Sequence, residues 1–243
     1  MLPRLFTRRF PGPPIAAALL ALAVVALVAC SEDAPTAQCA DGDVEFASSD
    51  GLPLCGRHYG SGDVTVVLAH MRPSDQESWR PFAETLADEG YAVFTFNFRG
   101  YEPSSGDKEL GLIDLDLGGA LDYLAIGGVE RPVLVGASMG GTAAVKVAAN
   151  RDVAGVVALS APAAIDGLSA ADYIASVDEP KFFMVAEDDV SARMDSAALY
   201  DASSGERFYE VFTGGEHGTD LVYGRHSELV QGRILELLEL FTQ

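Results

Sequence analysis

The chain has 243 residues, 49% of them apolar, enough for one large domain with a full core, which excludes disorder over most of its length. Its 36 acidic residues against 16 lysines and arginines give a formal net charge of −20 at pH 7, which argues against a nucleic-acid partner. Such acidity favours solubility and specifies no substrate.

Arg4, Arg8 and Arg9 form a positive n-region, and IAAALLALAVVALVA (15–29) forms an apolar h-region ending in LVAC. The apolar run is short for a membrane span and Pro11, Pro13 and Pro14 precede it, so residues 1–29 are expected to be a signal peptide. Leu27-Val28-Ala29-Cys30 resembles a bacterial lipobox, which implies lipidation of Cys30 and anchoring of an exported domain to a membrane of the cell envelope. A plain signal peptide, or a first segment that is not cleaved, are the alternatives. Residues 1–29 hold three arginines and no acid, so their removal takes the charge to −23. Residues 30–43, polar and small, read as a tether, and residues 44–243 as the domain. Cys39 and Cys55 are expected to pair in the oxidising compartment that export implies, closing a loop of about 15 residues.

From residue 44 onward, strand-length apolar runs alternate with helical patterns. Strands are expected at 44–48, 53–59, 64–70, 91–98, 131–136, 153–160, 181–187 and 207–213, and helices at 77–89, 108–125, 139–150, 170–177, 192–202 and 219–240. The first two strands alternate and are joined by SSDGL, the chemistry of a hairpin. The later ones are almost continuously apolar and separated by helices, which predicts a mostly parallel eight-stranded α/β sheet covered on both faces. In such sheets ligands bind beyond the carboxyl ends of the strands.

GASMGG (136–141) stands at one such end, between RPVLV and a helical pattern. A serine in G-x-S-x-G is held on a tight turn that leaves its Oγ exposed, with the following N–H groups, that of Met139 first, facing an attacked carbonyl. A serine hydroxyl needs a base, and the base needs an acid. His217 lies in a glycine-flanked loop after the last strand; His58 falls within a strand and His226 on the last helix. Asp188 and Asp189 end the seventh strand and are the candidate acids.

These motifs, with LAHMRPSDQESW after the third strand, FNFRGYEPSSG after the fourth and GGEHGTDL, resemble the α/β-hydrolase superfamily, in particular its lidless esterase-like members related to dienelactone hydrolases. The resemblance covers nearly the whole domain. It implies the α/β-hydrolase fold and the chain order nucleophile, acid, histidine, with Ser138, Asp189 and His217 in those roles and Asp188 as the alternative acid. It also implies the Arg72 N–H as the second oxyanion donor beside Met139, although Met71 stands where the family has glycine. His70 is expected to be a structural hydrogen-bonding residue, Arg99 a loop arginine paired to acids, and Trp79 a packing residue. Only about twenty residues separate the sixth and seventh strands, so no cap domain is expected.

The function so implied is hydrolysis of an ester or thioester through an acyl-enzyme, by a monomer, on a small-molecule substrate. No His/Cys cluster has metal-ligand spacing, and neither a metal nor an organic cofactor is expected. Peptidases and acyltransferases use the same constellation, and a non-catalytic binding lipoprotein is the alternative from another class.

Overall fold

The computed structural model describes residues 36–241; the expected signal peptide, Cys30 and the first part of the tether lie outside the described residues. The eight long strands form one sheet in the order β1 (Val44–Ala47), β2 (Pro53–Tyr59), β4 (Ala92–Phe96), β3 (Thr65–Ala69), β5 (Val133–Ala137), β6 (Gly155–Leu159), β9 (Lys181–Ala186) and β10 (Arg207–Phe212). β1 and β2 make the antiparallel hairpin, β2 also runs antiparallel to β4, and all other pairs are parallel. This is the mostly parallel eight-stranded sheet expected from the alternation of strands and helices, and it agrees with the fold that the resemblance to α/β-hydrolases implies.

Continuous apolar runs are what two covered faces require. Val67, Ala69, Leu134, Val156, Ala158 and Phe183 point to one core, whose helices are α2 (Ile113–Ile126) and α3 (Met139–Ala148). The intervening Val66, Leu68, Val133, Val135, Val157 and Met184 point to the other core, against α1 (Arg80–Asp88) and α6 (Ser227–Phe241). Trp79 is fully buried there, as a packing residue.

Three helices depart from expectation. The segment 170–177 makes only a single tight turn, Ile174–Ser176, after a small hairpin of β7 (Ala164–Ile165) and β8 (Leu168–Ser169). The Ala163 carbonyl takes the N–H of both Ala170 and Ala171 at 2.9 Å, so these groups serve the hairpin, and a segment this short does not nucleate a helix against that competition. The stretch 219–240 divides into α5 (Asp220–Tyr223) and α6, because Gly224 adopts ψ −154°, and a Cβ there would meet the Asp220 carbonyl oxygen at 2.7 Å. His226 therefore lies before α6, with Nε2 2.8 Å from Thr213 Oγ1. The pattern at 108–125 becomes helical only at Ile113, after a short tight turn over Leu110–Leu112. α4 (Val190–Ala202) follows Asp189 directly.

Arg99 fixes the loop after β4. Its guanidinium meets Asp116 Oδ1 on α2 at 2.7 and 2.9 Å and the Asp50 carboxylate of the first hairpin at 2.8 and 3.1 Å. Burial alone lowers its basicity, but the Asp116 and Asp50 hydrogen bonds outweigh that and hold it above the ordinary arginine range. Cys39 is bonded to Cys55 with a Cα–Cα distance of 5.4 Å, so the end of the expected tether is fastened to β2. The Cys39→Ala/Cys55→Ala variant is expected to lose about 3 kcal/mol of unfolding free energy in urea. An equal denaturation midpoint for variant and parent would show that the bridge adds nothing.

Candidate active site

The site is built at the carboxyl ends of β5, β9 and β10. Ser138 follows β5 at φ 49°, ψ −118°, a conformation that costs a non-glycine residue about 1–3 kcal/mol. Its neighbours make that possible. A Cβ at Gly136 would lie 2.3 Å from the Gly140 carbonyl oxygen, and one at Gly140 would lie 2.4 Å from that of Ala69, so only glycine lets strand, turn and helix close together. The Ser138 N–H donates to the Leu159 carbonyl of β6 at 2.8 Å, and its own carbonyl accepts from Gly141 and Thr142 at 2.9 and 3.1 Å. Met139 then opens α3, where the first N–H groups have no acceptor within the helix.

The three residues expected to act together are brought together. His217 Nε2 lies 2.9 Å from Ser138 Oγ, and its Nδ1 lies 2.6 Å from Asp189 Oδ2. The carboxylate partner assigns the proton to Nδ1 and leaves the Nε2 lone pair facing the serine hydroxyl. Asp189 ends the loop after β9 as the N-cap of α4, and its backbone carbonyl accepts from Arg193 at 2.8 Å. Asp188, the alternative acid, is exposed, and its N–H donates to the Gly214 carbonyl at 2.8 Å.

Met71 is a buried core residue. Its Sδ packs on Gly218, where an added Cβ would lie 2.5 Å away, so the methionine fills space beneath the His217 loop. Gly218 sits at φ 58°, which suits that close approach. His70, fully buried, donates from Nδ1 to the Met71 carbonyl at 3.0 Å and accepts the Phe98 N–H on Nε2 at 3.1 Å. It thus ties the β3 loop to the β4 loop as a neutral imidazole. Burial pushes its pKa down to about 4, with the Met71 carbonyl opposing the shift. Arg72, on the same loop, is half exposed and pairs with Asp166 of the β7–β8 turn at 3.2 Å.

A cleft of about 660 Å³, lined by Arg72, Tyr101, Lys108, Leu110, Leu112 and Asp166, opens beside this loop. Tyr101 borders it, with its hydroxyl 3.8 Å from Met139 Sδ, and Lys108 Nζ stands 4.0 Å over the Tyr101 ring. Among the described residues no group of His, Cys, Asp and Glu is arranged to hold a metal ion, and no helix is long and apolar enough to cross a membrane. The disulfide is a bond of oxidising, non-cytoplasmic compartments.

The model of the Alpha/beta hydrolase family matches residues 66–231. The chain belongs to the alpha/beta hydrolase family. Epoxide hydrolase A of Mycobacterium tuberculosis is 40% identical over 110 residues, which cover 42% of this chain and 33% of that protein. Among solved structures, an esterase of Pyrococcus furiosus has a TM-score of 0.72 at 21% identity, over 83% of this hydrolase-family chain and 91% of that one. A monoacylglycerol lipase of Paleococcus ferrophilus has a TM-score of 0.67 at 17% identity, over 77% and 99%. These two likenesses are likenesses of fold.

Tyr101, Lys108 and Asp166 escaped the reading of the sequence of this alpha/beta hydrolase. Tyr101 stands inside the FRGYEP motif, and its role depends on a long-range contact with Met139. Asp166 reaches Arg72 because the segment after β6 makes a small hairpin, β7–β8, that the sequence pattern did not reveal.

A buried neutral His70 links stability to pH with a definite sign. Its folded pKa of about 4 lies below the ordinary 6.5, so the unfolded chain binds the extra proton and stability is lost as pH falls from 6.5 toward 4. The loss amounts to up to about 3 kcal/mol. His70→Gln, which keeps a donor and an acceptor, is expected to flatten this slope in urea unfolding measured at a series of pH values. Parallel slopes in the two proteins would show that His70 is not neutral in the folded chain.

Proposed function

We propose that this protein is a serine carboxylesterase-like hydrolase that cleaves esters of small, solvent-accessible substrates through an acyl-enzyme on Ser138. The observation that carries the reading is the unbroken hydrogen-bonded run from Ser138 Oγ through His217 to Asp189, at 2.9 and 2.6 Å, with the serine strained at the start of α3. In the first half-reaction Ser138 Oγ attacks the ester carbonyl carbon while His217 Nε2 takes its proton. The oxyanion forms at the N–H groups of Met139 and Arg72, each such donor being worth about 3 kcal/mol. Collapse breaks the bond to the alcohol, which leaves with the proton from His217. Water then attacks the acyl-enzyme, gives its proton to His217, and the acid leaves as Ser138 regains its hydrogen. Asp189 holds the imidazole in the right tautomer and stabilises its cation throughout.

Serine chemistry also decides between an ester and the epoxide named by the Mycobacterium tuberculosis relative. Attack of Ser138 on an epoxide carbon would form an ether, which water does not cleave under these conditions, whereas attack on an ester gives an acyl group that water removes. The short segment between β6 and β9 leaves the site without a cap, which suits thioesters as well as esters. Lipidation of Cys30 after removal of residues 1–29, with the domain held outside the cytoplasm, completes the proposal.

Hydrolysis of p-nitrophenyl acetate and butyrate is the first test. Ser138→Ala and His217→Ala are each expected to lower kcat by at least about a thousandfold, with Asp189→Asn somewhat less affected and Asp188→Asn within about twofold of the parent. A parent that neither hydrolyses these esters nor reacts with a fluorophosphonate would leave a binding lipoprotein as the better reading. For the anchor, expression of the whole chain in a bacterium fed labelled palmitate is expected to label the protein and place it in the membrane fraction. Cys30→Ser should abolish both, and an unlabelled parent would remove the lipid anchor from the proposal.

A further inference from the structure

Exposed apolar side chains meet on one edge of the active-site end. Val190 and Met194 stand one turn apart on the same face of α4, directly after Asp189, and are 53% and 66% exposed. Val211, 42% exposed, stands beside them on the edge strand β10. Its placement follows from Tyr209, two residues earlier on the same strand face, whose hydroxyl donates to the Arg193 carbonyl of α4 at 3.3 Å. α4 leaves the carboxyl end of β9, and β10 runs parallel to β9, so α4 and β10 are antiparallel. Val211 therefore lies one step nearer the active-site end than Tyr209, level with the first turns of α4.

The chain is fastened on the other side of the same end. Cys55, bonded to Cys39, precedes Gly56, which pairs with Phe96, the last residue of β4. Phe96 pairs with Ala69, and Ala69 with Gly136, two residues before Ser138. The bridge thus lies at the height of the nucleophile. The strand order puts β2 three strands to one side of β5 and β10 three strands to the other, about 14 Å each way at about 4.8 Å per strand. Cys30 is nine residues before Cys39, so the covalent chain between them spans at most about 30 Å. α6, which starts at the active-site end and finishes with Phe241 against Gly155 at the start of β6, is fifteen residues and about 22 Å long. Turning that opposite end toward an anchor at Cys30 would consume most of the tether.

We infer that the active-site end faces the membrane carrying the anchor, with the α4–β10 patch seated on the lipid surface and Ser138 opening toward it between patch and tether. The inference rests on the ester reading for its substrate and, for its membrane, on anchoring at or before Cys30, by lipid or by a retained apolar segment. Two supports, one on either side of β5, turn the face between them to the lipid. Three exposed apolar side chains do not hold a domain on a membrane by themselves; beside a covalent anchor they need only set its orientation. The net charge of −20, with Glu187 and Asp188 exposed just before the patch, selects a zwitterionic headgroup surface over an anionic one. The substrates within reach are small amphiphilic esters that collect at the lipid–water boundary.

The whole chain, purified from bacterial membranes and reconstituted in phosphatidylcholine vesicles, tests this with single added tryptophans read against the fully buried Trp79. Met194→Trp and Val211→Trp are expected to lose at least about half of their added emission when the lipid is brominated, whereas Ile126→Trp, at the far end of α2, keeps it. Equal quenching at the two ends, or quenching of Ile126→Trp alone, overturns the inference, as does a chain recovered free of the membranes. No quenching at any position overturns it too, and a doubled mass on a sizing column would then assign the patch to a second copy. Fluorescence needs no turnover, so a quenched Met194→Trp in a protein that cleaves no ester leaves the orientation standing without the ester reading. Met194→Asp/Val211→Asp is expected to cleave p-nitrophenyl laurate held in the vesicles at least about threefold more slowly than the parent, with p-nitrophenyl acetate hydrolysis within about twofold. A laurate rate equal to the parent's overturns the substrate half of the inference.

Discussion

The close approach of β3, β5 and α3 around Ser138 is the constraint on which the site depends. Gly136, Gly140 and the Ala69 carbonyl leave no room for a Cβ, and the serine between them is forced to φ 49°. That strain is sustained by the packing of the whole central sheet, since β3, β5 and β6 are completely buried. One turn thereby sets three things: the position of Oγ, the direction of the α3 N-terminus, and the distance at which a histidine from the loop after β10 meets the serine.

The order of strands does the rest. Asp189 and His217 are 28 residues apart in sequence, yet β9 and β10 are neighbours, so the acid and the base leave adjacent strand ends. Asp188 has the same charge one residue earlier, but its side chain is exposed and its backbone is committed to Gly214. A difference of one residue in the exit from β9 thus separates a carboxylate that orients an imidazole from one that is solvated.

Period-two alternation and continuous apolar runs made the eight strands legible, because both core faces are built from adjacent residues such as Val66 and Val67. Ser138 and His217 were legible for a local reason, since glycine neighbours mark the turns that each requires. What stayed hidden was settled over distance. The helix expected at 170–177 has ordinary composition, and it lost to a hairpin whose Ala163 carbonyl competes for its first N–H groups. Met71 looked like a departure from a glycine pattern, and its role emerged only when Gly218 was found against its sulfur.

The disulfide reaches further into the site than its position near the N-terminus suggests. Cys55 lies on β2 beside the carboxyl end of β4, which is the active-site end of the sheet. Its N–H donates to Ser104 Oγ at 2.9 Å and its carbonyl accepts the Asn97 N–H at 2.9 Å. Ser104 Oγ in turn donates to the Asn97 carbonyl at 2.7 Å, while the Asn97 side chain accepts from the Gln76 N–H and donates to the Glu102 carbonyl. These bonds hold both ends of the loop that carries Arg99 and Tyr101, and Tyr101 borders both Met139 and the cleft. A bridge that constrains the unfolded chain therefore also fixes, through one strand and one loop, the Tyr101 wall of the cleft.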